Sequence, residues 1–294
     1  MKPKPLELEN KWYDDGLQLA KWSDSSKKIL KKAFLCLREK LILRLGAYCM
    51  NLKGRGGLKG SVRCIYNKLD NHPYVARFDI KSFYGSIDHK ILFQLLEKMN
   101  VNPELMNVIR EYVVIPDTRA TGKGIVAGGA LSSLLGAVYL SPLDTAMNKL
   151  YKKASIFYLR YVDDIVILAK TRWKFKEAVK LMHETLDSLL LEVHKDKKRF
   201  VGKTKNGFDF LGFFFKSNRK VRPSRNSLER FAQRARQLME QGDLNNLLSY
   251  VERFYNYIHA GLQNSVIRKG IRKYLRFIDY KLEKKLTEKI TLLC

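Results

Sequence analysis

Three aspartates stand where carboxylates are costly. Asp79 closes the apolar run YVARFDI (Tyr74 to Ile80), and Asp163-Asp164 interrupts a second apolar run, IFYLRYVDDIVILA, 84 residues further on. Carboxylates at the ends of buried strands are expensive unless something cationic satisfies them. On adjacent strands, Asp79 and Asp163 would form the natural pair bridging two divalent cations, while Asp164, next on the chain, is expected to point elsewhere and to be the weaker ligand. Mg²⁺ takes oxygen ligands and substrate phosphates. Two such ions about 4 Å apart activate a hydroxyl and stabilise the charge of a phosphoryl transfer. A lone Asp-Asp is a weak signal, because a turn or an ordinary salt bridge accounts for most of them.

The elements that must position these acids can be read around them. YVARFDI reads as a short buried strand, and SFYGSIDHKILFQLLEKM turns and becomes a helix. The two halves of IFYLRYVDDIVILA read as a hairpin with Val162-Asp163-Asp164 at its tip. Between them, after a break at Ile115-Pro116-Asp117, GKGIVAGGALSSLLGAVYLSPLDTAMNKLY reads as a glycine-rich approach to one long helix. Its small residues Gly128, Gly129, Ala130, Ser132, Ser133, Gly136 and Ala137 leave one face bare. A helix (FKEAVKLMHETLDSLLLEV), the basic stretch KDKKRFVGKTK and a strand pair GFDFLGFFF follow, so residues 70–215 alternate strands and helices in an α+β manner.

The ends are different in kind. The first 45 residues carry Ile29, Leu30, Ala33, Phe34, Leu37, Leu41 and Leu45 at helical spacing, behind a cap at Ser25 or Ser26. KGRGGLKGSVR then marks a turn or basic hairpin loop. Beyond Pro223 three apolar stripes predict three helices: Leu228, Phe231, Ala235 and Leu238; then Leu244, Leu248, Val251, Tyr255 and Ile258; then Ile267, Ile271, Ile278 and Leu282.

Charge separates the middle from its flanks. The 294 residues hold 56 Lys and Arg against 29 Asp and Glu, a net charge of +27, far more than solubility needs. Residues 64–194 are close to neutral, whereas 1–63 and 195–236 are strongly basic. A polyanion gripped by the flanks would cross the acidic middle. With 46% hydrophobic residues the chain is globular and not a disordered tail. Its four cysteines (Cys36, Cys49, Cys64 and Cys294) include no C-x-x-C pair, which argues against a disulfide framework or a zinc knuckle. The N-terminus lacks an apolar signal core and no run approaches membrane-spanning length, so a cytoplasmic protein is expected.

Taken together and in this order, the segments resemble the motifs of reverse transcriptases, in particular the prokaryotic group of group II intron, retron, diversity-generating and defence-associated enzymes. FDIKSFYGSIDH (78–89) is similar to motif A, GKGIVAGGALSSLLGAVYLSPLD (122–144) to motif B, FYLRYVDDIVILA (157–169) to motif C, LEVHKDKK (191–198) to motif D and FLG (210–212) to motif E. The resemblance implies an α+β right-hand polymerase fold. Fingers would occupy 1–73 and 90–122, palm 74–89 and 123–215, and a helical thumb 216–294.

For the site it implies two Mg²⁺ ions, replaceable by Mn²⁺, held by Asp79, Asp163, Asp164 and the backbone carbonyl of Ile80. Tyr84 would be a steric gate against a 2′-hydroxyl, selecting deoxynucleotides, with Phe83 facing the other way. Lys59 and Arg63 would meet the triphosphate. Arg63 is the better candidate because a planar fork matches phosphate bidentately. Lys197 would hold or protonate the pyrophosphate, and Ala127 and Gly128 would lie by the nascent pair. Lys53, Arg55, Arg222 and Arg225 are expected at nucleic acid, with Phe210, Leu211 and Gly212 as primer grip. For Arg160 three roles stay open: neutralising the carboxylates, touching primer backbone, or a structural salt bridge. One departure stands out. The family's Gly-x-Pro-Gln-Gly is here Gly124-Ile125-Val126-Ala127-Gly128, so the glutamine amide is lost and with it a polar check on alignment.

The expected activity is RNA-directed DNA synthesis. A DNA or RNA primer would be extended with deoxynucleoside triphosphates on a dedicated structured or non-coding RNA. Anti-phage defence, sequence diversification and retron-like synthesis are the roles left open, and a partner protein or a second copy is expected. No ribonuclease H or endonuclease domain is expected after the thumb. Two alternatives remain: template-independent or protein-primed synthesis, and a catalytically silent RNA-binding scaffold.

Overall fold

The computed structural model describes residues 5–14, 17–151, 155–195, 199–217 and 220–258. They divide into two compact units, Met1–Gly57 with Tyr74–Gly202, and Leu58–Pro73 with Lys203–Cys294.

The first unit opens with an antiparallel hairpin of β1 (Leu8–Asp14) and β2 (Leu17–Trp22), where the sequence pattern suggests only helix. The two strands are paired from Leu8 with Trp22 to Asp14 with Leu17. Helix α1 (Asp24–Leu41) follows, capped by Ser23, whose hydroxyl accepts from the Ser26 N–H. It buries Leu30, Ala33, Leu37 and Leu41 as the spacing predicts. The glycine-rich stretch forms the turn only as far as Gly56. From there α2 (Gly57–Tyr66), which falls in the second unit from Leu58 on, is helical, its two glycines outweighed by the burial of Val62 and Ile65.

The functional centre of this unit is a four-stranded sheet. In chain order come β3 (Tyr74–Asp79), the single turn α3 (Phe83–Ser86), α4 (His89–Lys98), α5 (Pro103–Val114), α6 (Ala130–Tyr139), α7 (Ser141–Tyr151), β4 (Ile156–Tyr161), β5 (Asp164–Ala169), α8 (Arg172–Ser188) and β6 (Phe200–Lys203). The sheet order is β4-β5-β3-β6, and β5 runs antiparallel to both β4 and β3. Helix α8 packs on these strands, so Ile165–Ala169 are buried throughout. That explains why β5 reads as an unbroken apolar run. The single long helix expected after the glycines is two, α6 and α7. Pro142 breaks it, taking the second position of α7, where its missing N–H costs nothing.

In the second unit β7 (Phe208–Phe210), β8 (Phe213–Lys216) and β9 (Lys220–Pro223) form an antiparallel sheet, one strand more than expected. Helices α9 (Arg225–Glu240) and α10 (Leu244–Ile258) pair around Phe231, whose ring stacks on Phe254 at 3.9 Å. The α9 stripe is as predicted. On α10 the buried stripe is Leu247, Phe254 and Ile258, while Leu248 is exposed. Two stripes satisfy the helical period there, and stacking on Phe231 selects the one containing Phe254. The third predicted helix lies outside the described residues.

Candidate active site

Asp79 and Asp164 are direct cross-strand partners in the β3–β5 register. The Asp79 carbonyl accepts from the His194 N–H at 2.9 Å, on the side away from β5, so Asp79 and Asp164 form a non-hydrogen-bonded pair. In such pairs the side chains approach most closely and share a face. It is thus Asp164, and not Asp163, that stands opposite Asp79, because Asp163 occupies the two-residue turn and Asp164 begins the strand. Asp79 and Asp164 are mostly buried, at 15% and 23% side-chain exposure.

Two like charges directly opposed are destabilising. Two side chains the sequence reading passed over lie against the pair: the Arg77 guanidinium is 3.6 Å from Asp164 and offsets its charge, and His194 Nε2 is 3.3 Å from Asp79. Arg77 could have been found, since two residues before Asp79 on a strand means the same face. The backbone adds an oxygen. Ile80 bridges Val193, flanked by the bonds Lys81 N–H to Glu192 O and His194 N–H to Asp79 O. That pattern turns the carbonyl of Ile80 away from Val193, toward the β5 side. Among the described residues no group of three or more His, Cys, Asp or Glu is placed to hold a metal ion. Carboxylate and carbonyl oxygens, the donor types present here, are those that a hard cation takes.

Asp163 is presented by a strained turn. Tyr161 and Asp164 close the β4–β5 hairpin, and Val162, first of the two turn residues, has φ +57°. Asp163 does not share that sign, a pattern found in type II′ turns, which favour glycine in the first place. Below the turn Arg160 is 1% exposed and pairs with Asp144, itself 2% exposed, at 2.8 Å. Its guanidinium also donates to the carbonyls of Ala137 and Val162, and Tyr158 donates to Asp144. Of the roles open for Arg160 the structure holds the buried salt bridge, and a guanidinium enclosed in this way has no route to a primer phosphate. Burial opposes its charge, but Asp144 beside it prevails and raises its pKa; burial also pushes the neighbouring Cys49 thiol up to about 11.

Tyr84 sits half-buried on α3, close enough to Asp163 to feel its charge. Burial first, and that carboxylate second, push its phenol up to about 12, so it is a neutral ring at physiological pH. Phe83 does not face away from it. The rings lie 5.2 Å apart and both press on Gly136 of α6, where a Cβ would come within 2.9 Å of Phe83 and 3.4 Å of Tyr84. Neighbours on a helical turn diverge by about 100° and not by 180°, which corrects the expectation. The loop before α6 is laid against α3 by bonds from Gly124 N–H to Ile87 O and Ile125 N–H to Tyr84 O. Ala127 donates its N–H to Gln18 O at 2.7 Å, and Ala127 and Gly128 line an apolar cavity of about 450 Å³ with Trp12, Trp22, Phe34 and Tyr112.

The other expected residues scatter. Arg55 is pinned at the end of α1, donating to the carbonyls of Ile42 and Leu45, and Lys53 is exposed nearby in sequence. Lys59 and Arg63 are exposed in the second unit, four residues apart on α2, a helix and not the expected hairpin. Also there, Phe210 and Phe213 close a turn in which Leu211 and Gly212 both have positive φ. A Cβ at Gly212 would collide with the hydroxyl of Tyr257, which donates to Leu211 O. Arg222 lies over the ring of Phe214, and Arg225 is paired with Glu229. Lys197 lies outside the described residues.

Comparison with known proteins bears on the fold and the family. The fold matches solved structures of telomerase from Candida albicans bound to a fragment of telomeric RNA (16% identity, TM-score 0.59, 90% of this chain and 48% of that one) and of apo telomerase from Candida tropicalis (12% identity, TM-score 0.54, 90% and 50%). The chain thus spans about half the length of these proteins. No curated protein matches it. The model of the reverse transcriptase (RNA-dependent DNA polymerase) family matches residues 28–215, from α1 through both aspartate-bearing strands to β8, and the chain belongs to that family.

Proposed function

We propose that the chain is an RNA-directed DNA polymerase that extends a 3′-hydroxyl with deoxynucleotides, as in the prokaryotic reverse transcriptases its motifs resemble, in a role such as anti-phage defence. The observation that carries the reading is the facing pair Asp79 and Asp164 with Asp163 at the adjoining turn. A binding scaffold gains nothing from opposing carboxylates beneath a polyanion. Mg²⁺ is commonly held by one or two carboxylates plus substrate phosphates and not by a closed protein cage, which suits an open set of oxygens. Bound there by Asp79, Asp163, Asp164 and the Ile80 carbonyl, two Mg²⁺ ions would activate the hydroxyl and neutralise charge on the transferred phosphate. In this reading the first unit supplies palm and part of the fingers, and the basic second unit supplies primer grip and thumb.

The test is primer extension by the purified chain with Mg²⁺, the four deoxynucleotides and a primed RNA template, with the product sequenced. Complementary DNA supports the reading, tailing unrelated to template favours untemplated synthesis, and an inert enzyme that binds RNA favours the scaffold.

Tyr84 decides the sugar. A ring held between Phe83 and Gly136 cannot yield to a 2′-hydroxyl without moving the nucleotide, and small displacements at a reacting centre carry large rate penalties. Y84A is expected to raise kcat/KM for ATP relative to dATP by about 10²-fold, with dATP use falling modestly. An unchanged ratio in a folded, active variant removes the gate.

The RNA partner is expected to be gripped through phosphates by the basic flanks. The logarithm of affinity for a structured RNA should fall linearly with the logarithm of salt concentration, with a slope of magnitude about 4–8, roughly 0.7–0.9 per phosphate neutralised. A slope near zero would assign the +27 charge to solvated surface.

A further inference from the structure

Val162 is the one β-branched residue among the described non-glycine positions with positive φ, a conformation that costs such a residue more than most. Something must hold it there, and both polar groups of its peptide are held. Its N–H donates to Asn51 Oδ1 at 3.1 Å, and its carbonyl accepts from Arg160 Nη1 at 3.1 Å. Arg160 is fixed in turn by Asp144. Asn51 is fixed by its own chain, because Tyr48–Met50 runs alongside β4, with Arg160 N–H bonded to Tyr48 O and Met50 N–H to Arg160 O. Its amide donates to Ser133 of α6 at 3.0 Å. Asn51 thus joins three elements at one point, the tip of the hairpin that carries Asp163.

We infer that Asn51 is a positioning residue: with Arg160 it clamps Val162 in the left-handed conformation and so sets where Asp163 points. The inference rests on the polymerase reading, because it gives Asp163 its task. Without Asn51 the turn can relax to negative φ and carry Asp163 away. With glycine at 162 the left-handed turn costs nothing and the clamp becomes dispensable.

The experiment is a double-mutant cycle of N51A and V162G, read by steady-state primer extension. N51A is expected to lower kcat by about 10²-fold while KM for the deoxynucleotide stays within about twofold, since the loss falls on alignment and not on binding. In the V162G background the same substitution should cost less than about a tenth as much. Equal losses in both backgrounds, or a loss confined to KM, would reduce Asn51 to a brace between α6 and β4 and overturn the inference. Melting supplies a readout that needs no activity. V162G should raise the thermal midpoint by about 2–4 °C when Asn51 is present and by clearly less in N51A, where strain has already been released. If the wild-type chain extends no primer, the polymerase reading fails, and the melting cycle still decides the clamp.

Discussion

D79A is expected to abolish primer extension, lowering the rate by at least about 10³-fold, the scale on which enzymes lose rate when a group that stabilises transition-state charge is removed. D163A should behave alike. The fold should survive both, because Asp79 is the last residue of its strand and Asp163 lies in the turn between β4 and β5. D79A gives up the contact with His194 and sheds the repulsion with Asp164, effects of about 1 kcal/mol that partly cancel. Circular dichroism should be unchanged and the thermal midpoint shifted by no more than about 2–4 °C. Either variant retaining more than about a tenth of the activity would refute the carboxylate assignment. D164A discriminates further. As the cross-strand partner of Asp79 it is expected to be as damaging as D163A if it shares in holding metal. If it serves only to pair with Arg77, its loss should be mild.

The largest effect on stability is expected at Arg160. R160M leaves Asp144 charged, buried and short of its partner, a situation that costs about 3–5 kcal/mol. It also strips the donor from the buried carbonyl of Ala137 and the partly buried one of Val162. Urea denaturation should show the midpoint falling accordingly. Adding D144L removes the orphaned charge, and R160M/D144L should regain most of the lost stability. Activity should not return with it, because the Val162 carbonyl still lacks its donor. A double variant no more stable than R160M would show that the cost lies in the carbonyls and not in the ion pair.

What could be read from sequence was whatever is local. The alternation and length of YVARFDI and the split run around Asp163-Asp164 give β3, β4 and β5, and the three-and-four spacing of Leu30, Ala33, Leu37 and Leu41 gives α1. The N-terminal hairpin was missed because its pattern is weak and the helical stripe beside it strong. Which aspartate faces Asp79 depends on register, and a shift of one residue exchanges Asp163 for Asp164. The fate of Arg160 depends on Asp144, a residue of another helix, and nothing local distinguishes an arginine that meets phosphate from one that meets a buried carboxylate. Asn51 carried no signal, since an asparagine before Leu52-Lys53-Gly54 reads as part of a loop.

The central place of β5 bears on how the chain reaches this structure. Ile165 to Ala169 is an uncharged stretch of strong β-formers, the composition of a segment that pairs with copies of itself when exposed. Its partner β3 lies about 90 residues back, so the pairing that buries it closes a large loop and comes late. Until then the segment is guarded by charge at both ends: Asp163 and Asp164 before it, Lys170 and Arg172 after it. Natural sequences flank unavoidable apolar strands in this way. Asp163 and Asp164 therefore have an earlier task, keeping nascent chains apart by repulsion, and a chain stripped of both would lose its guard before it lost its chemistry.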